Sequence, residues 1–130
     1  MKEQQTIKAT EAEMEILNIL WTHGPSTVRD VHDRLAEVKD TGYTTTLKQM
    51  QVMHEKQLLT RVAEGKTHVY TAKANKTDVQ GQLLKRMIDS VFNGSAMQLV
   101  MQALGSHKPS DAELDMIREY LEKKKEVNNN

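Results

Sequence analysis

Residues 43–72 read YTTTLKQMQVMHEKQLLTRVAEGKTHVYTA, and their hydrophobic period changes once, near Leu59. Before the change, Leu47, Met50, Met53 and His54 recur at helical spacing, with Thr46 and Gln57 beside them. The spacing predicts a helix from Tyr43 to about Leu58, packed along that side. After the change, Leu59–Ala63 and Thr67–Ala72 are short β-type runs around Glu64-Gly65-Lys66. They predict a hairpin over 59–72 in which Gly65 supplies the positive φ of the turn. The hairpin follows the helix with no gap long enough for another element.

Working upstream, Thr10-Glu11-Ala12-Glu13 has the form of a capping box, and Met14, Leu17, Leu20 and Trp21 continue it as a helix. Gly24-Pro25 ends that helix, Gly as a left-handed cap and Pro because it cannot continue one. Ser26 is expected to cap a second helix with Val28, Val31 and Leu35 on one face, closed by a turn at Asp40-Thr41-Gly42. Downstream, helices are expected from Thr77 to Phe92, from the Ser95 cap to about Gly105, and from the Ser110 capping box onward. The polar end, Lys123–Asn130, is expected to fray. The order is three helices, a hairpin and three helices. The expected fold is therefore mainly α with a small β-hairpin: a winged helix-turn-helix over 1–75, followed by a C-terminal helical dimerisation region over 76–130.

Composition narrows the function. The chain has 130 residues, 18 basic and 18 acidic side chains, no cysteine, eight methionines and 38% hydrophobic residues. Without cysteine there is no disulfide, thiol nucleophile or thiolate metal site. The small apolar content predicts further burial in an oligomer. Leu84, Met87, Ile88, Val91, Leu99, Val100, Leu114, Ile117 and Leu121 form the stripes expected to meet across a homodimer axis. Charge is uneven. Residues 1–40 hold 5 basic and 8 acidic groups, whereas 41–73 hold 5 basic and 2 acidic, the one basic stretch. That stretch coincides with the third helix and the hairpin, the elements that touch DNA in winged helices.

On a wheel at ~100° per residue, Thr44, Thr45, Lys48, Val52 and Glu55 face away from the packed side of the third helix. Threonine hydroxyls bond base edges or phosphates, and threonine methyls and Val52 suit thymine methyls. Lys48 suits a phosphate or a guanine edge. The hairpin adds Arg61, Lys66 and His68 for phosphate or minor-groove contact. Three threonines in a row also suit a plain helix entry, and Gly65-Lys66 an ordinary solvated turn; it is their position together that favours double-stranded DNA as partner.

Other chemistry is poorly supplied. The five histidines, His23, His32, His54, His68 and His107, include no pair spaced i, i+4, so no metal is expected. No Gly-rich phosphate loop or Gly-x-Ser-x-Gly elbow is present, so no catalytic residue and no cofactor are expected. The glycines read as helix ends and turns. No apolar run approaches the ~20 residues of a membrane helix, and the expected location is the cytoplasm. Two alternatives stay open: a winged-helix protein–protein module, and a small-molecule-responsive regulator with a pocket near Met87, Met97, Met101 and Met116.

Several segments together resemble the penicillinase-repressor family of BlaI-, MecI- and CopY-type regulators. They are Glu13–Trp21, Gly24–Val31, Gly42–Leu47, Lys56–Leu59, Gly65-Lys66 with Tyr70, and Val91–Ser95. The resemblance runs from about Ala9 to Leu121. It implies a homodimeric transcriptional repressor, a TACA/TGTA-type operator dyad and, in the β-lactam-responsive branch, a membrane sensor protease as partner. Gln57 stands where the family usually has Gly, and Val52 where Arg is common. The cysteine motif of the copper-responsive branch is absent. Gln102-Ala103 replaces the Asn-Phe bond at which β-lactam-responsive members are cut, so relief by cleavage in the fifth helix, between Leu99 and Gly105, is one option beside a ligand or a partner.

Overall fold

The computed structural model describes residues 9–129. In chain order the elements are α1 (Glu11–His23), β1 (Ser26–Thr27), α2 (Val28–Ala36), α3 (Tyr43–Glu55), β2 (Leu59–Glu64), β3 (Thr67–Ala72), α4 (Lys76–Ser90), α5 (Ala96–Ser106) and α6 (Asp111–Asn128). The fold is mostly helical with a small antiparallel sheet in the order β1-β3-β2. The sheet is larger than the expected hairpin by one strand. Ser26 and Thr27 pair with Tyr70 and Val69, and two residues are too few to show an alternating period.

Local chemistry sets the boundaries. The capping box of α1 is formed, with the Glu13 N–H donating to Thr10 Oγ1 at 3.1 Å and the Thr10 N–H to Glu13 Oε1 at 3.0 Å. The cap of α2 is Thr27 rather than Ser26. Thr27 exchanges bonds with Asp30, both at 3.1 Å, while the Ser26 hydroxyl donates to the Gly24 carbonyl at 2.9 Å. Gly24 lies at φ 85, ψ −166, outside the left-handed helical cap region and in one that is essentially glycine-only.

Helix α3 stops three residues before the expected Leu58. Gln57 takes φ 71, its N–H donates to the His54 carbonyl at 3.1 Å, and the Leu58 N–H donates to the Met53 carbonyl at 2.9 Å. This is a Schellman ending, with Met53 and Leu58 both buried as its apolar contact. It turns the chain directly into β2.

Gly81 lies inside α4 and marks no end, whereas α5 ends at Ser106, one residue past Gly105, as expected. The polar tail is helical to Asn128 because Glu-Lys-Lys-Lys-Glu is a run of good helix formers, whose polarity reflects solvation rather than fraying.

The chain divides into two compact units, one ending at Arg86 and one beginning at Met87. In the first, Ile16, Leu17 and Leu20 of α1, Val28, Val31 and Leu35 of α2, and Met50 and Met53 of α3 share one core with Leu58, Leu59 and Tyr70. The opening turns of α4 join it through buried Val79 and half-buried Leu83. The Trp21 indole donates to the Ala74 carbonyl at 3.2 Å, and Arg86 Nη2 to the Ala9 carbonyl at 2.6 Å. In the second unit no described residue is buried within the single chain.

Candidate nucleic-acid interface

Helix α3 has one committed side. Thr46, Met50 and Met53 are buried against α1 and α2, and the Thr46 hydroxyl donates back to the Gly42 carbonyl at 3.4 Å. With that side fixed, Thr44, Thr45, Lys48 and Glu55 are exposed, and Val52 is half-buried at the border. Gln51, not singled out above, is also exposed, and at seven residues from Thr44 and three from Lys48 it belongs to the same strip. A helical wheel holds that signal: at ~100° per residue Gln51 falls about 20° from Thr44, on the side away from Lys48. Its amide is of the type that bonds adenine bidentately.

The hairpin register sorts the wing residues by face. Arg61 lies opposite Tyr70, and Ala63 opposite His68. Arg61 and His68 therefore share the face of buried Leu59 and Tyr70. Arg61 Nη1 donates to Tyr70 Oη at 3.4 Å, and the His68 ring stands edge-on to Tyr70 at 6.3 Å between centroids. The other face carries Thr60, Val62 and Glu64 against Thr71, Val69 and Thr67. Lys66 stands exposed at the tip beside Gly65, whose φ of 63 makes the tight turn.

Not every cation of the basic stretch is available to a ligand. Lys56 Nζ reaches the Glu13 carboxylate at 2.7 Å, and Lys73 Nζ donates to Gln57 Oε1 at 2.7 Å. Lys48, Arg61 and Lys66 have no carboxylate partner among the described residues. The exposed surface of α3 and the wing therefore combines hydroxyls, an amide and three cations. That set can bond base edges and neutralise phosphates.

In the second unit, Val91, Val100, Leu114 and Leu121 are exposed, while Leu99 and Ile117 are half-buried. Met87 is exposed there too, and on α4 Leu84 is exposed and Ile88 half-buried. Met97, Met101, Met116, Tyr120 and Val127 widen the exposed apolar surface, Met97 to 72% of its area. An open cavity of about 410 Å³ lies between α5 and α6, bounded by Leu104, His107, Pro109, Met116 and Ile117 among others. Met97 and Met101 line a separate hollow with Phe92, so the four methionines do not converge on one pocket. Among the described residues no cluster of His, Asp and Glu is arranged to hold a metal, and no helix is long and apolar enough to cross a membrane.

The sequence profile of the penicillinase repressor family matches residues 9–123. The chain is 22% identical over 122 residues to the methicillin resistance regulatory protein MecI of Staphylococcus aureus strain N315, spanning 94% of this chain and 99% of that protein. It is 22% identical over 116 residues to the penicillinase repressor of Bacillus licheniformis, spanning 89% and 91%. Among solved structures, the DNA binding domain of the repressor BlaI superposes with a TM-score of 0.52 at 21% identity, covering 58% of this chain and 93% of that domain.

Proposed function

The chain belongs to the penicillinase repressor family, and from that premise we propose that it is a DNA-binding transcriptional repressor acting as a homodimer on a palindromic operator. Helix α3 enters the major groove and the β2–β3 wing lies on the backbone. The observation that carries the reading is the division of α3: Thr46, Met50 and Met53 are buried, and the opposite strip of Thr44, Thr45, Lys48 and Gln51 is left open beside the wing cations. The N-terminal residues of such a helix reach deepest into a groove. Phosphates meet Lys66 and Arg61, with His68 beside Arg61. Two copies joined through the 76–130 region present two such helices, and the half-sites then lie about one turn, or a multiple of ~10 bp, apart.

Binding of fluorescent duplexes tests this. The full-length protein should bind random duplex at low salt and a TACA/TGTA palindrome more tightly. Thr45→Ala should lower discrimination between the two by ~1–3 kcal/mol, whereas Lys66→Ala should weaken both alike and flatten the salt dependence. No binding to any duplex at low salt would leave the protein–protein module as the better reading. The cavity between α5 and α6 keeps a ligand-responsive regulator as the second reading; a metabolite that raises the melting temperature would support it.

A further inference from the structure

Tyr43, the first residue of α3, is held by two side chains of α2. The Arg29 guanidinium lies over its ring, with Cζ 4.3 Å from the centroid. The His32 ring meets it edge-on, 5.8 Å between centroids and 79° between planes. His32 is half-buried, so its ring acts as a wall that fixes the plane of Tyr43. A guanidinium stacked on a fixed aromatic loses little further rotamer freedom when it binds. The only carboxylate that reaches Arg29 among the described residues is Asp33, at 3.9 Å, with both side chains more than 60% exposed. Such a pair is long and well solvated, so it competes weakly for the guanidinium donors. Asp30, the other acidic neighbour on α2, has Oδ2 occupied by the Thr27 N–H at 3.1 Å.

The guanidinium is thus parked against the residue that immediately precedes Thr44 and Thr45. We propose that Arg29 is a phosphate-binding residue of the DNA interface, pre-oriented by Tyr43 to take a backbone phosphodiester next to the point where α3 enters the groove. This rests on the DNA-binding reading and extends the interface from α3 and the wing onto α2. A planar guanidinium offers a phosphate two parallel N–H donors, which a lysine at the same place does not. Arg29 lies in the acidic first third of the chain, so charge summed along the sequence gives no hint of it. Only the fold carries it to Tyr43.

The test uses the full-length protein with operator and random duplexes across a salt series. Arg29→Ala should weaken both by the same factor, about tenfold, and reduce the slope of log K against log salt by about one per chain. Tyr43→Leu keeps the charge and removes the platform, so it should cause a smaller, equally unspecific loss. In the double variant the Tyr43 effect should vanish, because there is no guanidinium left to orient. Arg29→Lys should restore the salt slope and only part of the affinity. A merely structural role for Arg29 would move the melting temperature and leave the salt slope unchanged. Unchanged affinity and slope in Arg29→Ala, while Lys66→Ala loses both, would overturn the inference and leave the DNA reading standing. Loss confined to the operator would also overturn it, by making Arg29 a base reader. Absence of any duplex binding by the unaltered protein would remove the DNA reading itself, and the inference with it.

Discussion

Gln57 performs a turn that glycine performs without strain. Its φ of 71 is needed for the Schellman ending of α3, and a residue with a Cβ pays roughly 1–2 kcal/mol there. Its side chain recovers part through the exposed bond from Lys73. Gln57→Gly should therefore raise stability by ~0.5–1 kcal/mol, read as a higher urea midpoint. A lower midpoint would mean that the Lys73 bond outweighs the backbone strain. Gly24 is the opposite case: at φ 85, ψ −166 no side chain is accommodated, although the space around a Cβ is open. Gly24→Ala should cost ~1–3 kcal/mol by strain alone. Gly24 is visible in the sequence as a helix end, though its angle is not, whereas the helical spacing runs on through Gln57 and hides the turn there. The displaced α2 cap has a simpler cause. Ser26 and Thr27 are adjacent hydroxyls, and only Thr27 has an acid, Asp30, three residues on to complete the box.

At the scale of elements, the legible parts are those with enough repeats to set a phase. Helix α3 and the hairpin were readable because Leu47, Met50 and Met53 give one period and the runs around Gly65 give the other. Strand β1, with two residues, gives none. Contacts far apart in sequence leave no local trace at all, and the tie between α1 and α3 is the clearest example. Glu13 Oε1 accepts both the Thr10 N–H and Lys56 Nζ, so one carboxylate closes the start of α1 and holds the end of α3, 43 residues away. The Glu13 side chain is only 8% exposed. Lys56→Met should leave that carboxylate shielded without a cation and cost ~1–2 kcal/mol in chemical denaturation. Adding Glu13→Gln, which keeps the capping acceptor and removes the charge, should return part of the loss. No recovery would show that the two residues are not coupled.

For the whole molecule, the two compact units differ in how they are held. Every buried residue of the described chain lies between Ala9 and Val79. A chain ending after Gln102 should therefore keep the fold of the first unit. It should also sediment as a monomer and bind a palindromic operator about 10²–10⁴-fold more weakly, because two half-site contacts no longer share one body. The full chain at micromolar concentration should sediment at about twice its 14.8 kDa. A monomer there would remove the homodimer from the proposed function. The amphipathic stripes of α4 to α6 were legible by their period, but a stripe does not name what covers it, and on a single chain they remain open. With a second copy as the cover, the exposed faces of Met87–Asn128 acquire a chemical potential of their own. Their melting becomes a bimolecular reaction, so its midpoint climbs with protein concentration while that of the first unit stays put. For that third of the chain dilution is a denaturant, and scarcity alone would loosen it before any signal arrived.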